Sequence, residues 1–246
     1  MEIDKICSQL PTTLTHLILI PHGDLHRFPL HTLFLASAKL PNLQSCTYLP
    51  SIQIGLNLQQ RSTQTKSYTP LLSVEDPKTH QEEMPFAQIE STIVRHLLQP
   101  NTHINSKSAD LATVENAMRQ PHASFHFTGH AAYNSRSPEA SALALTDEAL
   151  TAKRISQLDL SSYNLITLAA CETAITGREN INTEYVGLNS AFLQAGAANI
   201  LSTLWQVDEI ANAWFTIYFH QQLLSVALCS RSTNGAVTHR FTAFSD

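Results

Sequence analysis

Phe125-His126-Phe127-Thr128-Gly129-His130 and Leu165-Ile166-Thr167-Leu168-Ala169-Ala170-Cys171 share one grammar: a short apolar run, then a residue able to do chemistry. Phe125, Phe127 and their neighbours alternate with the period of a strand. Both runs have the length of a buried strand rather than of a self-sufficient helix. The predicted strands are Ala123–Thr128, followed by Gly129-His130, and Leu165–Ala170, followed by Cys171. Each delivers its reactive residue at its C-terminal end, where the loops of an open α/β sheet converge on ligand and active sites. Adjacent parallel strands lie about 4.8 Å apart, so as neighbours the two would bring both side chains to one cleft.

Outward from this pair the same alternation continues. Leu17–Ile20 reads as a strand ended by Pro21-His22-Gly23-Asp24, Thr47–Leu49 as a second, Leu71–Val74 as a third stopped by Asp76-Pro77, and Asn199–Leu204 as another. Between them Ser51 can cap a helix through Gln60, and Leu111–Met118 and about Glu184–Gln194 read as helices. In Phe86–Leu98 the residues Phe86, Ile89, Ile93, Val94 and Leu97 recur at helical spacing, which predicts that this face packs on the sheet. A last helix is expected over Asp208–Leu224. Strands alternating with helices predict an α/β domain with a mostly parallel sheet flanked by helices. Arg61–Thr69 and Thr176–Thr183 read as loops, the second just after Cys171, and Ser225–Asp246 shows neither period.

Composition narrows the function. Of 246 residues 43% are hydrophobic and 14% charged, ample for a full core, and the net charge of −5 gives no electrostatic reason to bind nucleic acid. Cys7, Cys46, Cys171 and Cys229 are dispersed, as free thiols in a reducing compartment would be. Met1–Leu10 holds acids where a signal peptide needs a basic start, and Leu17–Ile20 and Leu165–Ala170 are far shorter than the roughly 18 residues that span a bilayer, so a cytoplasmic protein without a membrane partner is expected. Neither a Walker A pattern nor G-x-G-x-x-G is present. His126 and His130, four apart on one strand, would be roughly 13 Å from each other, too far to share a metal.

A cysteine thiolate beside an imidazole is a minimal acyl-transfer pair: sulfur attacks, and the imidazole takes a proton and returns it to the leaving amine. The amides of Ala131 and Cys171 are candidate oxyanion donors. Taken singly, Cys171 could be a small core residue and His130 a buried histidine; their order and placement favour the pair. Glu172 can line the nucleophile's loop or stand solvated. Trp205 can wall a substrate pocket or pack at a strand end. Asp208 can contact substrate or, as the simpler account, cap the helix that follows.

These residues also carry a resemblance. Leu17–Ile20 with Pro21-His22-Gly23-Asp24-Leu25-His26-Arg27-Phe28-Pro29-Leu30, Phe125 to His130, Ala169-Ala170-Cys171-Glu172-Thr173, Gly187-Leu188 through Ala195-Gly196-Ala197, and Ser202-Thr203-Leu204-Trp205-Gln206-Val207-Asp208 resemble, in order, the CHAT domain family, caspase-like peptidases associated with tetratricopeptide repeats. The resemblance runs from about Thr12 to Leu224 and leaves 225–246 as an atypical, truncated or disordered tail. It implies a caspase-haemoglobinase-like fold and a cysteine endopeptidase with Cys171 as nucleophile and His130 as imidazole. It implies no metal and no cofactor, a protein or peptide substrate, a tetratricopeptide-repeat partner and a bacterial cytoplasmic setting. The sequence departs from the family at three places. Ala131 follows the His where the family has Gly, and a Cβ at a tight turn would restrict φ and disturb the oxyanion donor. Ala169 stands where Arg/Lys-specific relatives carry an acid. Ser225–Asp246 matches no family element. Two readings follow: an endopeptidase, or a catalytically impaired or truncated CHAT module that docks a partner.

Overall fold

The computed structural model describes residues 3–22, 25, 28–61, 67–79, 84–134, 137–172, 185–203 and 207–232. The chain opens with α1 (Ile3–Cys7), β1 (His16–Leu19), α2 (Leu30–Leu35), β2 (Ser45–Tyr48) and α3 (Ile52–Arg61). β1 and β2 pair in parallel as a sheet of their own, over a small core of Cys7, Leu19, Leu30, Phe34, Leu40, Leu43 and Cys46. Ser51 caps α3 as expected, its Oγ accepting the Ile54 amide hydrogen at 3.2 Å.

The main sheet is built from β3 (Leu71–Glu75), β4 (Asn101–Ile104), β5 (Ser124–Ala132), β6 (Ala142–Leu143), β7 (Leu150–Thr151), β8 (Leu165–Glu172) and β9 (Ile200–Ser202). The helices among them are α4 (Pro85–Leu97), α5 (Leu111–Met118), α6 (Ala152–Ile155), α7 (Ser190–Ala195) and α8 (Glu209–Ser232). β4, β3, β5, β8 and β9 neighbour one another in that order, all parallel, while β6 and β7 join antiparallel at the end of β5. The expectation of a mostly parallel sheet is therefore corrected to a mixed one. The return from Ala132 to Ala142 is too short for a crossover helix, so β6 comes back antiparallel.

Alternation sorts the strands into two faces. Leu72, Val74, Phe125, Phe127, Ile166 and Leu168 bury themselves with residues of α5, α6 and α7 in the main core. Against the other face pack α4 and α8. There the predicted face of α4 is met in part: Val94 is fully buried and Phe86, Ile93 and Leu97 are half-buried. Ala87, Glu90, Ser91 and Val94 are the buried residues, whereas Ile89 is 52% exposed. The sheet beneath offers Leu71, which packs with Val94, and beside it polar partners. Ser73 Oγ lies 3.2 Å from Ser91 Oγ, and Glu90 Oε1 lies 3.2 Å from His126 Nε2, within ion-pair reach though not aligned as a hydrogen bond. The His126 ring meets His220 of α8 edge to face at 5.6 Å. His220 donates from Nδ1 to the Thr216 carbonyl at 2.8 Å, and its Nε2 stands 3.4 Å from Thr167 Oγ1.

Burial decides the charge of this layer. It pushes both imidazoles down to about 3, with His126 adding to the effect on His220. It pushes the Glu90 carboxyl up to about 9, helped by the nearby charge of Glu209 and opposed by a hydrogen bond from Thr216. At neutral pH the layer is uncharged. Glu209 itself ties the helices together: its Oε1 accepts the amide hydrogens of Phe86 at 2.7 Å and Ala87 at 3.2 Å, capping α4 from the first turn of α8. The expectation that no element follows Leu224 is corrected too, because α8 continues to Ser232. Among the described residues no helix is long and apolar enough to cross a membrane.

Candidate active site

β5 and β8 are adjacent and parallel, and their register pairs Thr128 with Ala169, Gly129 with Ala170, His130 with Cys171 and Ala131 with Glu172. Residues paired in this way stand about 4.8 Å apart across the ladder and share a sheet face. His130 is 3% exposed and alternates onto the side of His126, whereas Ala131 joins Phe125 and Phe127 in the main core. For Cys171 and Glu172 the description is of the backbone alone. Trp205 and the loop Thr176–Thr183 lie outside the described residues, as do Gly23, Asp24, His26 and Arg27 of the first motif.

Both strands run further than their sequence predicts. β5 continues through His130 to Ala132 and β8 through Cys171 to Glu172. The reason is pairing: β6 sets Leu143 against Ala131 and Ala142 against Ala132, and β8 flanks the other side. The concern about Ala131 is corrected by this extension. Its methyl is not at a tight turn; Ala131 is extended, 4% exposed and accommodated in the core. The unusual backbone falls two residues earlier, at Gly129, whose φ is 144°. A Cβ built there would lie 2.9 Å from Pro77 Cδ and 3.2 Å from the Phe127 ring, so only glycine fits.

The rim next to Gly129 carries a residue that the sequence marked only as a strand end. Asp76, 6% exposed, follows β3 with φ of 31°. Its amide hydrogen is donated to the Thr128 carbonyl at 2.9 Å and to Thr128 Oγ1 at 3.2 Å, and its Oδ2 accepts the Met84 amide hydrogen at 3.2 Å. An Asp-Pro pair directly after a strand is the signal that could have drawn attention to it.

Asp208 is exposed and caps α8, its Oδ1 accepting the Ala211 amide hydrogen at 3.0 Å. A cavity of about 20 Å³ lies at the same end of the sheet, lined by Ala131, Leu168, Ala170, Asn189 and Ser202 among others. It belongs to the core side of β5, the opposite face from His130, and has room for about one water.

No curated protein matches the sequence. The profile of the CHAT domain matches residues 3–239 of the 246, a longer span than the motifs themselves mark out. With a mixed α/β sheet flanked by helices and a profile match over nearly its whole length, the chain belongs to the CHAT domain family, which is related to the caspase-like peptidases.

Proposed function

We propose that the chain is a cysteine endopeptidase in which Cys171 and His130 form the catalytic dyad. The observation that carries this reading is the register of β5 and β8, which sets the two residues at one level of neighbouring parallel strands. In the proposed reaction His130 accepts the Cys171 thiol proton and the thiolate attacks a peptide carbonyl carbon. The carbonyl π electrons move to oxygen to give a tetrahedral oxyanion; the amides of Ala131 and Cys171, the donors expected from the sequence, lie inside the paired β5–β8 ladder. Collapse of this intermediate breaks the C–N bond, and His130 gives its proton to the departing amine. Water, deprotonated by His130, then attacks the thioester. The acid is released and the Cys171 thiol regains its proton.

Ala169, paired with Thr128, presents no carboxylate to a basic substrate side chain, so the reading assigns no Arg/Lys preference. Glu172, one residue past the nucleophile, is kept as a substrate-side residue, and a tetratricopeptide-repeat protein as the expected partner. The test compares wild type with Cys171→Ala and His130→Ala on a mixed peptide library. Cleavage by wild type, lost in both variants, is the expected result. A folded wild type that cleaves nothing would favour the docking-module reading.

A further inference from the structure

We infer that Asp76 is a positioning residue for His130, acting through Thr128 and Gly129; its catalytic meaning rests on the dyad reading above. Three described residues have positive φ: Asp76 at 31°, Gly129 at 144° and Gly196 at 113°. Gly196 closes α7 in an ordinary left-handed cap. The other two face each other across the β3–β5 rim, immediately before His130.

Asp76 has a Cβ, so its backbone conformation is disfavoured and must be imposed by its surroundings. The hydrogen bonds from its amide to Thr128 and from Met84 to its carboxylate supply that constraint. The turn they fix lays Pro77 against Gly129, where the contact is close enough that no side chain fits between them. Gly129 in turn sets the direction in which the backbone enters His130. The two irregular residues are thus interlocked: the Asp76 turn places Pro77, Pro77 confines Gly129, and Gly129 precedes the proposed acid/base. Strain that persists only because its neighbours over-determine it concentrates at functional sites.

The test reads His130 itself. Protein carrying ¹³C,¹⁵N-histidine is compared as wild type, Asp76→Ala, Asp76→Gly and Asp76→Asn, with the His130 ring signal assigned by its loss in His130→Ala. Asn tolerates positive φ and keeps an acceptor oxygen, so Asp76→Asn is expected to retain the wild-type His130 signal. Asp76→Ala is expected to shift or broaden it while the signals of His126 and His220 stay in place. Asp76→Gly, which adopts the backbone freely but lacks the carboxylate, is expected to shift it as well and carries the test should Asp76→Ala not fold. An unchanged His130 signal in the folded Ala or Gly variant would overturn the inference. The alkylation rate of Cys171 at pH 7 reports separately on the dyad: it should fall about tenfold in Asp76→Ala, the loss of thiolate that follows from a thiol pKa about one unit higher. A wild-type Cys171 that reacts like an ordinary thiol would remove the dyad reading and leave the positioning of His130 decided by its own signal.

Discussion

Replacing Glu90 by Gln should stabilise the protein at neutral pH, although it alters a buried residue in the middle of α4. Burial holds this carboxyl up at about 9 against an ordinary 4.5, so at pH 7 the folded state keeps it protonated while the unfolded chain would ionise it. For an acid raised in the fold, the stabilising contribution is complete below 4.5 and declines as pH rises toward 9. The gap between 4.5 and 7, at about 1.4 kcal/mol per unit, costs the fold about 3 kcal/mol. Gln is neutral at every pH and can keep a hydrogen bond with Thr216, so the variant escapes this cost. His126 and His220 titrate in the opposite sense. Lowered from 6.5 to about 3, they stabilise fully above 6.5, and that contribution is lost as pH falls toward 3. From these three groups, wild-type stability should peak near pH 6.5 and decline on both sides. Glu90→Gln should retain the acid limb and lose the alkaline decline. Urea denaturation from pH 4 to 9 checks this, the gain being near zero at pH 4 and about 3 kcal/mol at pH 7. Parallel curves for the two proteins would mean instead that Glu90 ionises alike in the folded and unfolded states.

Three further outcomes follow from the packing. Gly129→Ala forces a Cβ onto Pro77 and Phe127 at a φ of 144°, and should cost about 1–3 kcal/mol in urea denaturation. Phe192→Ala removes a fully buried ring 6.0 Å from that of Phe125 and should cost about 3–5 kcal/mol, read by the same assay. Asp208→Ala deletes the α8 cap and should cost about 1 kcal/mol with KM for peptide unchanged; a raised KM would return Asp208 to the substrate side.

What the sequence made legible was whatever rests on local period and on strand ends. The apolar runs around Phe125 and Ile166 read as strands from their period and length, and the residues at their ends could be named; that the two lie side by side is shown by their register. β4 escaped notice because Asn101–Ile104 is a polar edge strand held by backbone pairing with β3 alone. β6 and β7 are two-residue pairings that produce no period. The reading of α4 held for Val94 and missed Glu90 and Ser91 for a physical reason of wider use. The stripe of Phe86, Ile89, Ile93, Val94 and Leu97 looked like the buried face, but beside Leu71 the facing sheet carries Ser73 and His126, which Ser91 and Glu90 answer, and Ile89 is left exposed. A buried carboxyl reads as a surface residue until its partners, distant in sequence, are known. The same holds for the site: His130 and Cys171 stood out as residue types, whereas the contribution of Asp76 lies in its backbone, which no residue type announces.

If His130 activates Cys171, the alkylation rate of Cys171 against that of Cys46, followed across pH in wild type and His130→Ala, will show it. Cys46 is a built-in reference, 3% exposed and with its thiol pushed up to about 11 by burial. At pH 7 Cys171 should react far faster than Cys46, and His130→Ala should remove most of the difference. A folded wild-type protein in which Cys171 reacts no faster than Cys46, or in which His130→Ala leaves its rate unchanged, would contradict that activation.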